Sequence, residues 1–101
     1  MYVVIFRANT AQLDSEYSQI AAKMRELALS QFGCLEFHAV CEGTQEIALS
    51  YWPDEASILA WKRHAEHQLE QQLGRERWYR DYRVEIAQIG RSYRFDGTQP
   101  A

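Results

Sequence analysis

A chain of 101 residues, 47% apolar and 25% charged, has the size and composition of one globular domain around one core, without room for a second. Its net charge of −3 is at odds with nucleic-acid binding, which needs a basic face to neutralise phosphates. The aromatic content of 13% leaves large rigid side chains to build a pocket or an interface.

The chain begins MYVVIFR, with no basic leader and an apolar run of five. This predicts a strand rather than a signal peptide or a membrane span. The β-rich run over residues 2–8 ends at Asn9-Thr10. From Asp14 the period changes: Tyr17, Ile20, Met24, Leu27 and Ala28 fall on one stripe, which predicts a helix from about 14 to 32. Asp14 or Ser15 caps its start and Gly33 ends it.

CLEFHAVCE (34–42) alternates, and QEIALSYW (45–52) alternates again beyond Gly43-Thr44, so the two predict a β-hairpin. Pro53 stops the second strand and Asp54 caps a second helix, whose stripe runs Ile58, Trp61, Ala65, Leu69. After Tyr82 the chain returns to strand. Apolar parity shifts there from Val84 and Ile86 to Ile89, Tyr93 and Phe95, which predicts a bulge or bend near 88–90 or a strand that serves two environments. Cys34 and Cys41 are seven apart, on opposite faces if on one strand and about 20 Å apart. No disulfide spans that distance, so the pair reads as small fillers in a reducing, cytoplasmic compartment.

The order β-α-β-β-α-β predicts an α+β fold of the ferredoxin-like type over 1–96, followed by a flexible tail at 97–101. Right-handed crossovers place both helices on one face of a four-stranded antiparallel sheet. On this reading Leu35, Phe37, Ile47 and Leu49 face the helices. Glu36, His38, Val40, Ala48, Ser50 and Trp52 take the bare face. Val40, Ala48 and Trp52 suit solvent poorly, which predicts a homodimer packed through the open sheet face, reached by Tyr93 and Phe95.

The stretch SYWPDEASILAWKRHAEHQLEQQLGRERWYRDYRVEIAQIGRSYRF, with the VVIF strand and the MREL helix, resembles the antibiotic biosynthesis monooxygenase (ABM) superfamily of dimeric α/β barrels. The segments DEA, AWKRHAEH, GRERWY and DYRV are similar to a bacterial branch of it. The resemblance implies oxidation of a planar phenol or quinol by dioxygen without metal or flavin. Other branches degrade haem, with an asparagine on the first strand, a tryptophan on the second helix and a ligand histidine further on. Trp61 matches the tryptophan, Asn9 comes slightly late for the asparagine, and Gln71 stands where the histidine is expected.

Among candidate residues, Trp61 serves as the wall of a pocket or as core packing, and the two are compatible. His38, mid-strand beside Glu36 and opposite the Ser50 region, is the candidate base for a phenolic proton. Trp52 and Tyr51 are further candidate walls. A cavity between the sheet and the second helix is expected to be lined by His38, Ser50, Trp52 and Trp61.

His64 and His67 share a helical face at the spacing of metal ligands but lack a third, and Lys62, Arg63, Glu66 and Glu70 surround them. No metal site is expected. Arg75, Arg77, Arg80 and Arg83 alternate with Glu76, Asp81 and Glu85, which reads as surface pairing, with one arginine available to anchor an anion. Trp78 and Tyr79 line the cavity or pack on a partner. No phosphate loop, nucleotide fingerprint or Ser-His-Asp pattern is present. The expectation is a cofactor-free homodimeric oxygenase, touching neither membrane nor nucleic acid. Its alternatives are a non-catalytic dimer holding a small hydrophobic ligand and a haem-binding relative.

Overall fold

The computed structural model describes residues 1–71 and 74–97. Strand β1 (Tyr2–Thr10) leads into helix α1 (Ser15–Ser30), hairpin β2 (Glu36–Glu42) and β3 (Gln45–Trp52), helix α2 (Glu55–Gln71), a single-turn helix α3 (Gly74–Trp78) and strand β4 (Tyr79–Gln88). The strands form one antiparallel sheet in the order β2-β3-β1-β4. This is the ferredoxin-like arrangement that the element order predicts, with α3 as an addition. No helix among the described residues is long and apolar enough to cross a membrane.

Local chemistry fixes the element ends. Asp14 caps α1 by accepting from the Tyr17 amide at 2.9 Å, and Asp54 caps α2 by accepting from the Ser57 amide at 2.8 Å. Those hydrogen bonds hold both carboxyls below the ordinary range. Beyond α1, Gly33 takes φ 85°, which lets the chain reverse so that the Cys34 amide reaches Ala28 O at 2.9 Å. Arg77 ties α3 to the start of α1 through Asp14 (2.7 Å) and Glu16 (3.2 Å), and the Trp78 indole also donates to Asp14. Arg77 of the arginine-rich run is thus scaffold. Arg75, at the start of α3, has its side chain outside the described residues, as do Leu69 and Gln71; residues 98–101 lie outside them altogether.

The hairpin corrects the expected faces. Gly43-Thr44 is a two-residue turn, so Glu42 pairs with Gln45, Ala39 with Ala48 and Phe37 with Ser50. Direct partners point to the same side of a sheet, so odd positions of β2 share a face with even positions of β3. The sequence reading kept odd with odd. Phe37 does face the helices, but it does so with Ala48, Ser50 and Trp52, while Ile47 and Leu49 join His38 and Val40 on the outer face. Trp52 is therefore core, fully buried with Val4, Ala28, Cys34 and Ile58.

The bulge expected near 88–90 is also displaced. The β1–β4 register shifts at the other end, between Asn9 and Thr10, and β4 stops at Gln88. The parity change in the sequence marks an exit from the sheet, after which Tyr93 and Phe95 are 86% and 91% exposed. Both cysteines are free, Cys34 buried and Cys41 exposed.

Candidate functional site

Between the inner sheet face and the two long helices lies a cavity of about 600 Å³. Its floor is built from even-numbered residues of β1, β3 and β4, among them Val4, Phe6, Ala48, Ser50, Val84 and Ile86, with Phe37 and Ala39 of β2. Ile20 and Met24 of α1 and Ile58, Trp61 and Ala65 of α2 close the sides. These are the two apolar stripes visible in the sequence, so the same periodicity that buries each helix also roofs the cavity.

One end of the cavity is an aromatic wall. Trp61 stacks at 5.6 Å from Trp52 and meets Phe37 edge-on at 6.0 Å, both between ring centroids. Its indole N–H donates to Met24 O at 3.1 Å, which pins α2 to α1. Beneath it, Trp52 Nε1 donates to Ser50 Oγ at 2.8 Å. Trp61 is both wall and packing residue, Ser50 lines the cavity, and Trp52 lies behind the lining as support.

The other end is polar. Glu46, four residues before Ser50 and so about 13 Å along β3, is only 8% exposed on the inner face. Its Oε1 accepts from the Tyr17 hydroxyl, and the Tyr79 hydroxyl stands 3.5 Å from that of Tyr17. Burial first, and then the hydrogen bond to Glu46, raises the Tyr17 phenol far above the usual tyrosine range. Burial also raises Tyr79. Both phenols stay protonated and act as donors.

The rings of Phe6, Tyr79 and Tyr82 stand 5.6 Å apart around this end, and Trp78 meets Tyr17 at 5.4 Å. Glu46 Oε2 is out of contact with solvent and has no hydrogen-bond partner among the described residues. The sequence reading missed this cluster because it placed Ile47 and Leu49 inward. Pairing across the two-residue turn puts Glu46 opposite Cys41 and on the inner face.

Besides Trp52, three further candidate residues, His38, Tyr51 and Asn9, lie away from the cavity. His38 pairs with Leu49 on the outer face, exposed, with its ring 6.4 Å from that of Tyr51. The sheet separates both from the cavity, so His38 cannot act as base on a ligand held there, and Tyr51 is no wall of it. Asn9 is also on the outer face, where its amide donates to Asp81 Oδ1 at 2.9 Å. His64 packs on Phe32, with 5.7 Å between ring centroids, and His67 is exposed. Among the described residues no three His, Cys, Asp or Glu side chains are grouped as metal ligands.

The chain matches no protein-family model. It is 36% identical over 95 residues to the uncharacterized protein YqjZ of Bacillus subtilis, covering 93% of this chain and 83% of that one. It is 30% identical over 99 residues to a jasmonate monooxygenase ABM of Pyricularia oryzae, of which it spans 46%, under half.

Among solved structures, the cofactor-independent oxygenase SnoaB of Streptomyces nogalater superposes with a TM-score of 0.71 at 11% identity, covering 90% of this chain and 94% of that one. A structure from Deinococcus radiodurans described as an antibiotic biosynthesis monooxygenase gives 0.71 at 11% identity, over 96% and 100%. MhuD with bound manganese protoporphyrin IX gives 0.56 at 11%, over 92% and 99%. At these identities the structures speak for the fold. They establish that the chain has the ferredoxin-like fold of proteins named as antibiotic biosynthesis monooxygenases.

Proposed function

We propose that this protein is a homodimeric monooxygenase of the ABM type that oxidises a small planar phenol or quinol with dioxygen and no bound cofactor. The observation that carries the reading is the 600 Å³ cavity, largely apolar and walled by aromatic rings, with one polar end. Such a space matches a flat ring ligand and admits dioxygen, itself apolar. With a monophenol the reaction closes without a further reductant. One oxygen atom enters the ring, the other leaves as water with two hydrogens, and the substrate provides all four electrons. The names of SnoaB, an oxygenase without cofactor, and of the fungal jasmonate monooxygenase support an oxygenase.

The dimer is argued from surface. The chain exposes 7353 Å², against roughly 5,900 Å² for a folded monomer of 11.8 kDa. Val40, Ile47 and Leu49 lie together on the outer sheet face, with Val40 66% exposed, and the segment bearing Tyr93 and Phe95 leaves the body uncovered. A second copy seated on that face gives these side chains a layer to pack against. The exposed thiol of Cys41 suits a reducing cytoplasm.

A haem-binding reading finds less to hold it. Among the described residues no histidine or cysteine lines the cavity, and Gln71, at the position the resemblance gives to a ligand histidine, has its side chain outside them. The residues present do not fit a haem held there through histidine.

Oxygen uptake with a panel of hydroquinones and anthrones tests the proposal. Saturable, enzyme-dependent consumption of one dioxygen per substrate supports it. Binding of the same compounds without consumption replaces it with the reading of a dimer that holds a hydrophobic ligand.

A further inference from the structure

Glu46 is a carboxylate that the fold buries without completing its hydrogen bonds. It sits on the inner face of β3, 8% exposed, at the end of a cavity whose floor and sides are otherwise largely hydrocarbon. Tyr17 donates to Oε1 and in turn accepts from Tyr79, so one oxygen is held at the end of a chain of two phenols. Oε2 receives no hydrogen bond from the described residues. Among the described residues no Lys, Arg or His forms an ion pair with Glu46.

A buried acceptor left empty is costly, and native structures seldom keep one unless something outside the chain fills it. We infer that Glu46 Oε2 is the ligand-reading atom of the cavity, and that it takes the hydroxyl hydrogen of a neutral ring ligand whose body lies toward Trp61. This deepens the proposed function and rests on its assignment of the cavity as the ligand site.

Three features narrow the ligand class. The free atom accepts, and Tyr17 is already committed to the other oxygen, so the ligand must donate at this end. A ligand carboxylate inserted here brings no donor to that oxygen and sets acceptor against acceptor, which disfavours acids bound by that group. An ammonium brings three donors to one free oxygen, in a setting where Phe6, Tyr79 and Tyr82 offer ring contacts but few acceptors for the rest. A phenolic hydroxyl brings one donor to one acceptor, and the flat ring behind it meets flat walls.

Isothermal titration at pH 7 with four probes of one shape tests this: 1-naphthol, 1-methoxynaphthalene, 1-naphthoate and 1-(aminomethyl)naphthalene as its cation. Wild-type protein is expected to bind 1-naphthol about 10- to 100-fold more tightly than the methyl ether, the worth of one hydrogen bond to a charged group. The naphthoate binds weakest. E46Q turns an amide donor toward the ligand, so the preference for naphthol over its ether disappears.

Equal wild-type affinity for naphthol and ether, tightest binding of the ammonium or the naphthoate, or no binding by any of the four overturns the inference. So does an E46Q protein that folds and keeps the wild-type preference. The wild-type ranking decides alone if E46Q fails to fold. Turnover is not read, so the two claims separate. The expected ranking with no oxygen uptake keeps the assignment of Glu46 and removes the oxygenase. Phenol oxidation by a protein without the ranking does the reverse.

Discussion

Removing the Trp61 ring tests whether one side chain both closes the core and walls the cavity. Its contacts are the Trp52 and Phe37 rings at 5.6 and 6.0 Å and the indole hydrogen bond to Met24 O at 3.1 Å. Complete truncation of a buried aromatic costs about 3–5 kcal/mol. Trp61 is half-buried and one side of its ring faces the cavity, so Trp61→Ala falls at the low end, about 3 kcal/mol.

For a domain of this size that lowers Tm by roughly 12–24 °C. Trp61→Phe keeps most of the ring and loses the N–H bond, about 1 kcal/mol and roughly 4–8 °C. Calorimetry at one fixed protomer concentration measures both, since dimerisation makes Tm depend on concentration. Titration of 1-naphthol into the Phe variant reads the wall separately. A Trp61→Ala protein melting within about 4 °C of wild type refutes the packing argument, whatever happens to binding.

Placing one charge in the outer sheet face, by Ile47→Glu beside Val40, is expected to convert a dimer to a monomer in sedimentation; a wild-type monomer at micromolar concentration contradicts the dimer itself. The caps give a pH dependence. Asp14 and Asp54 have carboxyls depressed in the folded state, so the stability they contribute is present above the unfolded value and is lost as pH falls through the folded one. The D14N, D54N double variant, whose asparagines still cap, should therefore lose less Tm than wild type on acidification from about pH 5 to about pH 2, and equal losses contradict the assignment. His38→Ala is expected to leave phenol oxidation unchanged, whereas a loss of about 10²-fold or more puts the chemistry on the outer face.

Periodicity was sufficient for the elements because each long helix carries its own stripe and each cap its own carboxylate. Tyr17, Ile20, Met24 and Ala28 and, on α2, Ile58, Trp61 and Ala65 all turn inward, since burial of a helix face is decided locally. Face assignment in the hairpin is decided by pairing, and alternation alone does not report it. Ile47 and Leu49 look like core residues by hydropathy, yet the two-residue turn at Gly43-Thr44 sends them outward and brings Glu46, Ala48 and Ser50 in.

The candidate site inherited that error. His38 stands out by its chemistry and Ser50 by its position, and the register separates them by the thickness of the sheet. Glu46 carried no signal of its own, because an acidic residue beside a turn reads as solvated until its strand partner is known. Trp61 was legible because both its roles lie on the same stripe. The short helix α3 escaped notice because five residues are too few to show a period, and its anchorage to Asp14 is a tertiary contact.

The central claim is that the cavity between the inner sheet face and the helices is where the ligand sits, hydroxyl end toward Glu46. A crystal structure of the protein with 1-naphthol tests it most directly. The account predicts the ring in the space bounded by Phe6 and Trp61, with its oxygen within about 2.5–3.0 Å of Glu46 Oε2. A ring bound on the outer sheet face beside His38 and Tyr51, or one lying in the cavity with its hydroxyl turned away from Glu46, contradicts it.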